Sequence, residues 1–161
     1  MTQKRVFFAT DGSGTSQAAE AVAGEMASCL ATCFDGCELV VGTVIPPDRA
    51  LRLNVPYRGT VPRGPLIHMP TEEMEQEAKE VVAEASGRIK AAFPNEKVTI
   101  RAVILRDASP AMGILEFLAK EECGYIVMGN RGHGRVGSLM LGSVSTEVLH
   151  GASCPVVIVR E

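Results

Sequence analysis

The sequence predicts an α/β fold: a doubly wound parallel sheet of five strands with helices on both faces. Three observations carry this reading. Apolar runs near residues 6–10, 39–45, 98–105, 125–128 and 155–160 alternate with longer segments of helical period. Most of these runs are apolar throughout rather than alternating, as strands buried on both faces are. A chain of 161 residues has length for one substantial core and little for a second, so 1–161 reads as a single domain.

The elements follow in order. Val6 to Thr10 is a short apolar run closed by Asp11-Gly12-Ser13-Gly14, a buried strand ending in a turn. Ser16 is the expected N-cap of the first helix, whose apolar stripe is Ala18, Ala19, Val22, Met26, Leu30 and Phe34 until Gly36 stops it. Residues 39–45 form the second strand. A helix over 72–93 is capped by Thr71, with Glu72, Glu73 and Glu75 in its electropositive first turn. Its buried face is Met74, Ala78, Val81, Val82, Ala85 and Ile89. In the third strand, 98–105, Thr99 and Arg101 alternate with apolar residues, which predicts an edge position. Ser109-Pro110 opens the third helix and Gly124 closes it. After the strand at 125–128 comes a glycine-rich loop, then a helix over 143–150 closed by Gly151, then the last strand at 155–160. The proline-rich segment 46–70 breaks the rhythm, with Arg49, Arg52, Arg58 and Arg63 against the single acid Asp48. It reads equally as a flap over a ligand or as loosely packed surface.

Composition narrows the function classes. A formal net charge of −3 predicts no nucleic-acid binding. No run approaches a membrane span, and the apolar start at Val6 is too brief for a signal peptide, so a cytoplasmic protein with reduced thiols is expected. Cys29, Cys33 and Cys37 recur at four-residue spacing. With no histidine near them they read as buried core thiols rather than zinc ligands.

The stretch from Met128 to Ser145 carries five glycines and runs directly into a helix. A helix N-terminus presents about half a positive charge and outward-pointing amides to an anion. Glycine at 129 and 132 would let a phosphate approach the main chain, with Ser143 adding a hydroxyl and Arg131 and Arg135 adding charge. This loop is therefore a candidate phosphate cradle, the alternative being a turn that serves packing alone. Gly132-His133-Gly134-Arg135-Val136-Gly137 fits G-x-G-x-x-G, but it follows the fourth strand and has no acidic strand end beyond it, so a dinucleotide site is not expected. No lysine lies in 121–161, which excludes a P-loop.

Gly129-x-x-Gly132, nine residues, then Gly142-Ser143 resembles the ATP-binding signature of the universal stress protein family. The resemblance extends to Asp11-Gly12-Ser13, Asp107-Ala108-Ser109-Pro110, Tyr125 to Gly129, Leu141 to Val144, and Cys154 to Arg160. It implies an adenine nucleotide alpha hydrolase-like sheet of order 3-2-1-4-5, with the loops after strands one and four facing each other. It further implies that Ala9, Thr10 and Asp11 line the nucleoside side and that Val44 meets the adenine. Met128, Gly129, Arg131 and Gly132 would take ribose and phosphates, and Gly142, Ser143 and Val144 the terminal phosphates. Asp11 alternatively caps its own turn. The cofactor implied is ATP, with or without Mg2+, other adenine nucleotides being open. Arg106 stands where many relatives carry glycine, and it is expected to narrow or charge the wall of the site.

The terminal phosphates have His133, Ser138 and Ser145 nearby but no carboxylate before Glu147, so slow or absent hydrolysis is expected, with no catalytic or metal-binding residue assigned. The reading favoured is a nucleotide-binding regulatory protein of the stress response. Its alternatives are a nucleotide-free dimeric scaffold and a slow ATP hydrolase. The last strand, 155–160, has no charge between Val156 and Val159 and lies at an edge in the implied order. A homodimer joined there is expected, as the family commonly dimerises that way.

Overall fold

The computed structural model describes residues 4–45, 72–131 and 141–160. The proline-rich segment 46–70, the expected Thr71 cap and the loop from Gly132 to Met140 lie outside them. In chain order the elements are β1 (Lys4–Ala9), α1 (Gly14–Cys33), β2 (Cys37–Ile45), α2 (Glu72–Ala92), β3 (Val98–Arg106), α3 (Pro110–Lys120), β4 (Tyr125–Gly129), α4 (Ser143–Gly151) and β5 (Val156–Val159). The strands form one parallel sheet of order β3-β2-β1-β4-β5. The doubly wound topology implied by the resemblance is thus the topology found. β1 is central, Val6 standing opposite Leu39 on one side and Tyr125 on the other.

Successive residues of the central strands feed opposite faces of the sheet, because the side-chain period of a strand is two. Val6, Phe8, Leu39, Val41 and Val127 pack under α1 and α2, whereas Phe7, Ala9, Val40, Ile126 and Met128 pack under α3 and α4. β3 is an edge, as its alternation predicts, and no residue of it is fully buried. β5 is the other edge, and all four of its residues are half-buried. Among the described residues no helix is long and apolar enough to cross a membrane.

Several local expectations need correction. The cap of α1 is Ser13, three residues earlier than expected: its backbone is extended (φ −68°, ψ 162°) and its hydroxyl accepts from the Ser16 amide. Ser16 lies inside the helix, where its hydroxyl donates to the Ser13 carbonyl at 2.8 Å. The fully buried ridge of α1 is Ala19, Ala23, Ala27 and Ala31, while Val22, Met26 and Leu30 flank it half-covered. Small side chains at every fourth position let the helix axis lie close to the sheet, so the larger residues close the sides. Cys29 and Cys33 fall outside that ridge and are exposed, whereas Cys37, the first residue of β2, is buried. The first two are therefore not core thiols. At the end of α3 the left-handed turn is made by Glu122 (φ 51°) rather than by Gly124. Gly151 is the last residue of α4 rather than its stop.

Candidate functional site

The carboxyl ends of β1 and β4 lie side by side, and the chains leaving them go to opposite faces of the sheet, β1 into α1 and β4 toward α4. Such a reversal of strand order leaves a crevice that no crossover covers. A cavity of about 330 Å³ opens there. One wall is Ala9, Thr10 and Asp11 after β1; the facing wall is Met128, Gly129 and Arg131 after β4; Gly142, Ser143 and Val144 at the head of α4 close one end and Val44 of β2 borders another. Every residue that the resemblance nominates therefore borders one space, except Gly132, which lies outside the described residues.

Hydrogen bonds fix the β1 wall. The Thr10 amide donates to the Gly42 carbonyl at 2.9 Å, holding the strand exit against β2. The Thr10 hydroxyl donates to Ser16 Oγ at 3.1 Å and accepts from the Gly12 amide at 3.2 Å. Asp11 Oδ1 accepts from the Ser13 amide at 3.0 Å, so this carboxylate does brace its own turn while the exposed residue also borders the cavity. Gly12 turns with φ +77°, a region L side chains rarely adopt, and a Cβ there would meet Val81 of α2 at 3.2 Å.

The β4 wall is held from both helices. Thr15 Oγ1 of α1 donates to the Arg131 carbonyl at 2.7 Å. From α4, Ser145 Oγ donates to the Asn130 carbonyl at 2.8 Å, which also accepts from the Gly142 amide at 2.8 Å. Gly129 borders the cavity and also serves packing. A Cβ there would stand 2.9 Å from the Thr15 carbonyl carbon and oxygen, so the missing side chain makes room for α1.

Gly142 caps α4 with an extended backbone (φ −66°, ψ 164°) and supplies no side-chain hydrogen bond to the first turn. The amide end of α4 thus faces the cavity without a capping oxygen, where an acceptor from outside the chain would be favoured. Arg131, a cationic residue, borders the cavity as well. At the opposite end the wall is apolar, formed by Val44, Pro110 and Ile114 with Gly42 and Thr43. An apolar slot at one end and bare amides with a cation at the other suit a flat, weakly polar group joined to an anion.

Pro110, Ile114, Gly42, Thr43, Ser16 and Ser145 border the cavity although sequence reading did not nominate them. The spacing of Pro110 and Ile114, one helical turn apart, was the available signal. Arg106 does not border the cavity: its guanidinium pairs with Glu75 of α2. Helix α2 thus supplies a carboxylate that draws the arginine aside, and the expected narrowing of the wall does not occur. Among the described residues no group of three or more His, Cys, Asp or Glu is placed to hold a metal ion.

Comparison with known proteins adds an independent line. A family model described as the universal stress protein family matches residues 2–160. A universal stress protein of Thermus aquaticus is 49% identical over 57 residues, 35% of this chain and 42% of that protein. The matched segments span less than two thirds of the first curated relatives' own length, between 38% and 59%. Among solved structures, a universal stress protein in complex with cAMP superposes with a TM-score of 0.64 at 22% identity, covering 99% of this chain and 98% of that one. A family protein from Arabidopsis thaliana with AMP bound gives 0.50 at 13% identity, over 98% and 92%. At these identities the likeness bears on the fold.

Proposed function

The chain belongs to the universal stress protein family, and on that premise we propose that it binds an adenine nucleotide, ATP foremost, as a cytoplasmic regulatory protein of the stress response. The observation that carries this reading is the cavity at the strand reversal, apolar at Val44 and Ile114 and lined at its other end by the uncapped first turn of α4 and Arg131. In this reading the base lies against Val44, Asp11 is near the ribose, and Arg131, Ser143 and Val144 take the phosphates together with Gly132. The nucleotides cAMP and AMP bound by two proteins of the same fold support an adenine ligand.

Mg2+ is usually held by one or two carboxylates together with the substrate's phosphates. Asp11 is the one carboxylate among the described residues bordering the cavity, and its Oδ1 already accepts from the Ser13 amide. The residues described therefore fit a metal that arrives with the nucleotide better than a resident one. Phosphoryl transfer needs a positioned water or base at the terminal phosphate. The α4 end of the described cavity offers Ser143 and Ser145, and Ser145 Oγ is engaged with backbone carbonyls. Turnover is slow or absent in this proposal.

Calorimetric titration with ATP, ADP and AMP, with and without Mg2+, tests it. A ligand that binds only the native chain must raise its melting temperature, by an amount equivalent to about 2.7 kcal/mol at a hundredfold excess over Kd. Saturating ATP should raise the melting temperature, with no phosphate released over many minutes. No heat and no shift with any of the three nucleotides would reject the proposal. A second reading, a nucleotide-free dimeric scaffold, is favoured by the uncharged edge strand β5, and it is the reading left standing if every titration is flat.

A further inference from the structure

The exposed thiols of α1 have no part in the site above. Cys29 and Cys33 are both free and exposed on an unbroken helix, and the remaining cysteines are buried or half-buried. Residues four apart on a helix share a face, with their Cβ atoms about 5–6 Å apart. A disulfide needs Cβ atoms about 3.5–4.5 Å apart. On an intact helix the two Cβ atoms are thus spaced too widely for a disulfide. A single ion between two thiolates has a longer reach. With metal–sulfur bonds of about 2.3 Å, as for zinc thiolates, a linear S–M–S unit spans about 4.6 Å.

The number of ligands then selects the ion. Zinc fills four positions, and no group of three or more metal-ligating side chains exists among the described residues. Thiolate sulfur is the preferred partner of Cu(I), an ion satisfied by two in-line ligands. We propose that Cys29 and Cys33 form a two-thiolate site for a soft monovalent cation of the Cu(I) class. Binding forms two metal–sulfur bonds, and the two thiol protons leave to solvent. No electron is transferred. The other thiols do not compete: burial, then the Glu38 charge, pushes Cys37 up to about 11, and burial pushes Cys123 up to about 11 and raises Cys154.

The test is titration of the reduced full-length protein with Cu(I) under anaerobic conditions, in competition with a chromophoric chelator. One equivalent per chain is expected, with a thiolate-to-copper absorption band. Cys29→Ser and Cys33→Ser should each weaken binding at least about a hundredfold, beyond the effect usual for outer-shell partners. Cys123→Ser and Cys154→Ser should leave it unchanged. All four melting temperatures are recorded first, so that a folding defect is not counted as lost binding. Wild-type affinity in either helix variant overturns the proposal. A copper-dependent doubling of mass in light scattering, abolished by either variant, also overturns it, because the ion would then lie between chains.

Discussion

A methyl group at Gly129 would stand 2.9 Å from the Thr15 carbonyl carbon and oxygen and 3.1 Å from the Ser16 amide nitrogen. Those are backbone atoms and cannot swing aside. Gly129→Ala should therefore destabilise the fold by about 1–3 kcal/mol, the usual range for overpacking, read as a lower urea midpoint. A change within experimental scatter would show that α1 shifts freely. Gly142 differs, since its φ of −66° and ψ of 164° suit any residue, and a Cβ there would meet Arg131 Cα and the Asn130 carbonyl at 3.4 Å and Ser145 Oγ at 3.6 Å, without a clash. Aspartate is a favoured N-cap, but its charge would occupy the place of a phosphate. Gly142→Asp should keep or raise the melting temperature of the free protein and abolish the shift caused by ATP. A preserved shift would place the phosphates elsewhere. Both glycines were visible in the sequence, yet composition could not tell room for a helix from room for a ligand. That distinction depends on the approach of α1, fixed by contacts far apart in the chain.

Among the elements, α1 is where periodicity misleads most. Hydrophobicity weights Val22, Met26 and Leu30 above alanine, whereas the sheet selects the ridge of Ala19, Ala23, Ala27 and Ala31, because close approach favours small residues. Buried Glu20 continues this logic: its carboxylate receives two 2.8 Å hydrogen bonds from Arg88 of α2 and so fastens one helix to the other. No spacing rule joins residues 20 and 88. By contrast α3 was legible at its start, since Ser109 accepts from the Met112 amide and Pro110 follows at once. The edge strand β5 carries its own prediction. Val156, Val157, Ile158 and Val159 offer an uncharged edge with open backbone groups, an invitation to pair with another strand. A homodimer joined along β5 should give twice the mass of the 17.1 kDa chain in light scattering at micromolar concentration. A 17.1 kDa particle there would reject the pairing.

For the molecule as a whole, the strand order gave a specific place to residues that the sequence scatters. The alternation of elements fixed the fold class, and the order of motifs fixed which two loops meet. Charge pairing was not legible: Glu38 of β2 receives Arg5 of β1 and Arg101 of β3 at the ends of the strands away from the cavity. Burial alone would raise the Glu38 carboxyl, but hydrogen bonds from Arg101 and Arg5, with their charges, hold it below its usual 4.5. Its contribution to stability is therefore present above 4.5 and lost as the pH falls through the lowered value. Cys37 and Cys123, raised from 9.0 to about 11 chiefly by burial, act in the opposite sense. Their contribution is complete below 9.0 and lost as the pH rises through about 11. Urea unfolding across a pH series should give a plateau between these limits and a decline on each side. Glu38→Gln should remove part of the acid limb and leave the alkaline limb intact, and an unchanged acid limb would exclude Glu38 as its source.

The central position of β1 has a consequence for how the molecule is made. One flank of that strand meets β2 almost as soon as both are synthesised, whereas the other waits for β4, since Val6 pairs with Tyr125. Until Tyr125 has left the ribosome, the buried run of β1 from Val6 to Ala9 keeps a raw flank. Closing so distant a pair is slow, and during that interval the unfinished chain is at its most vulnerable to sticking to its neighbours.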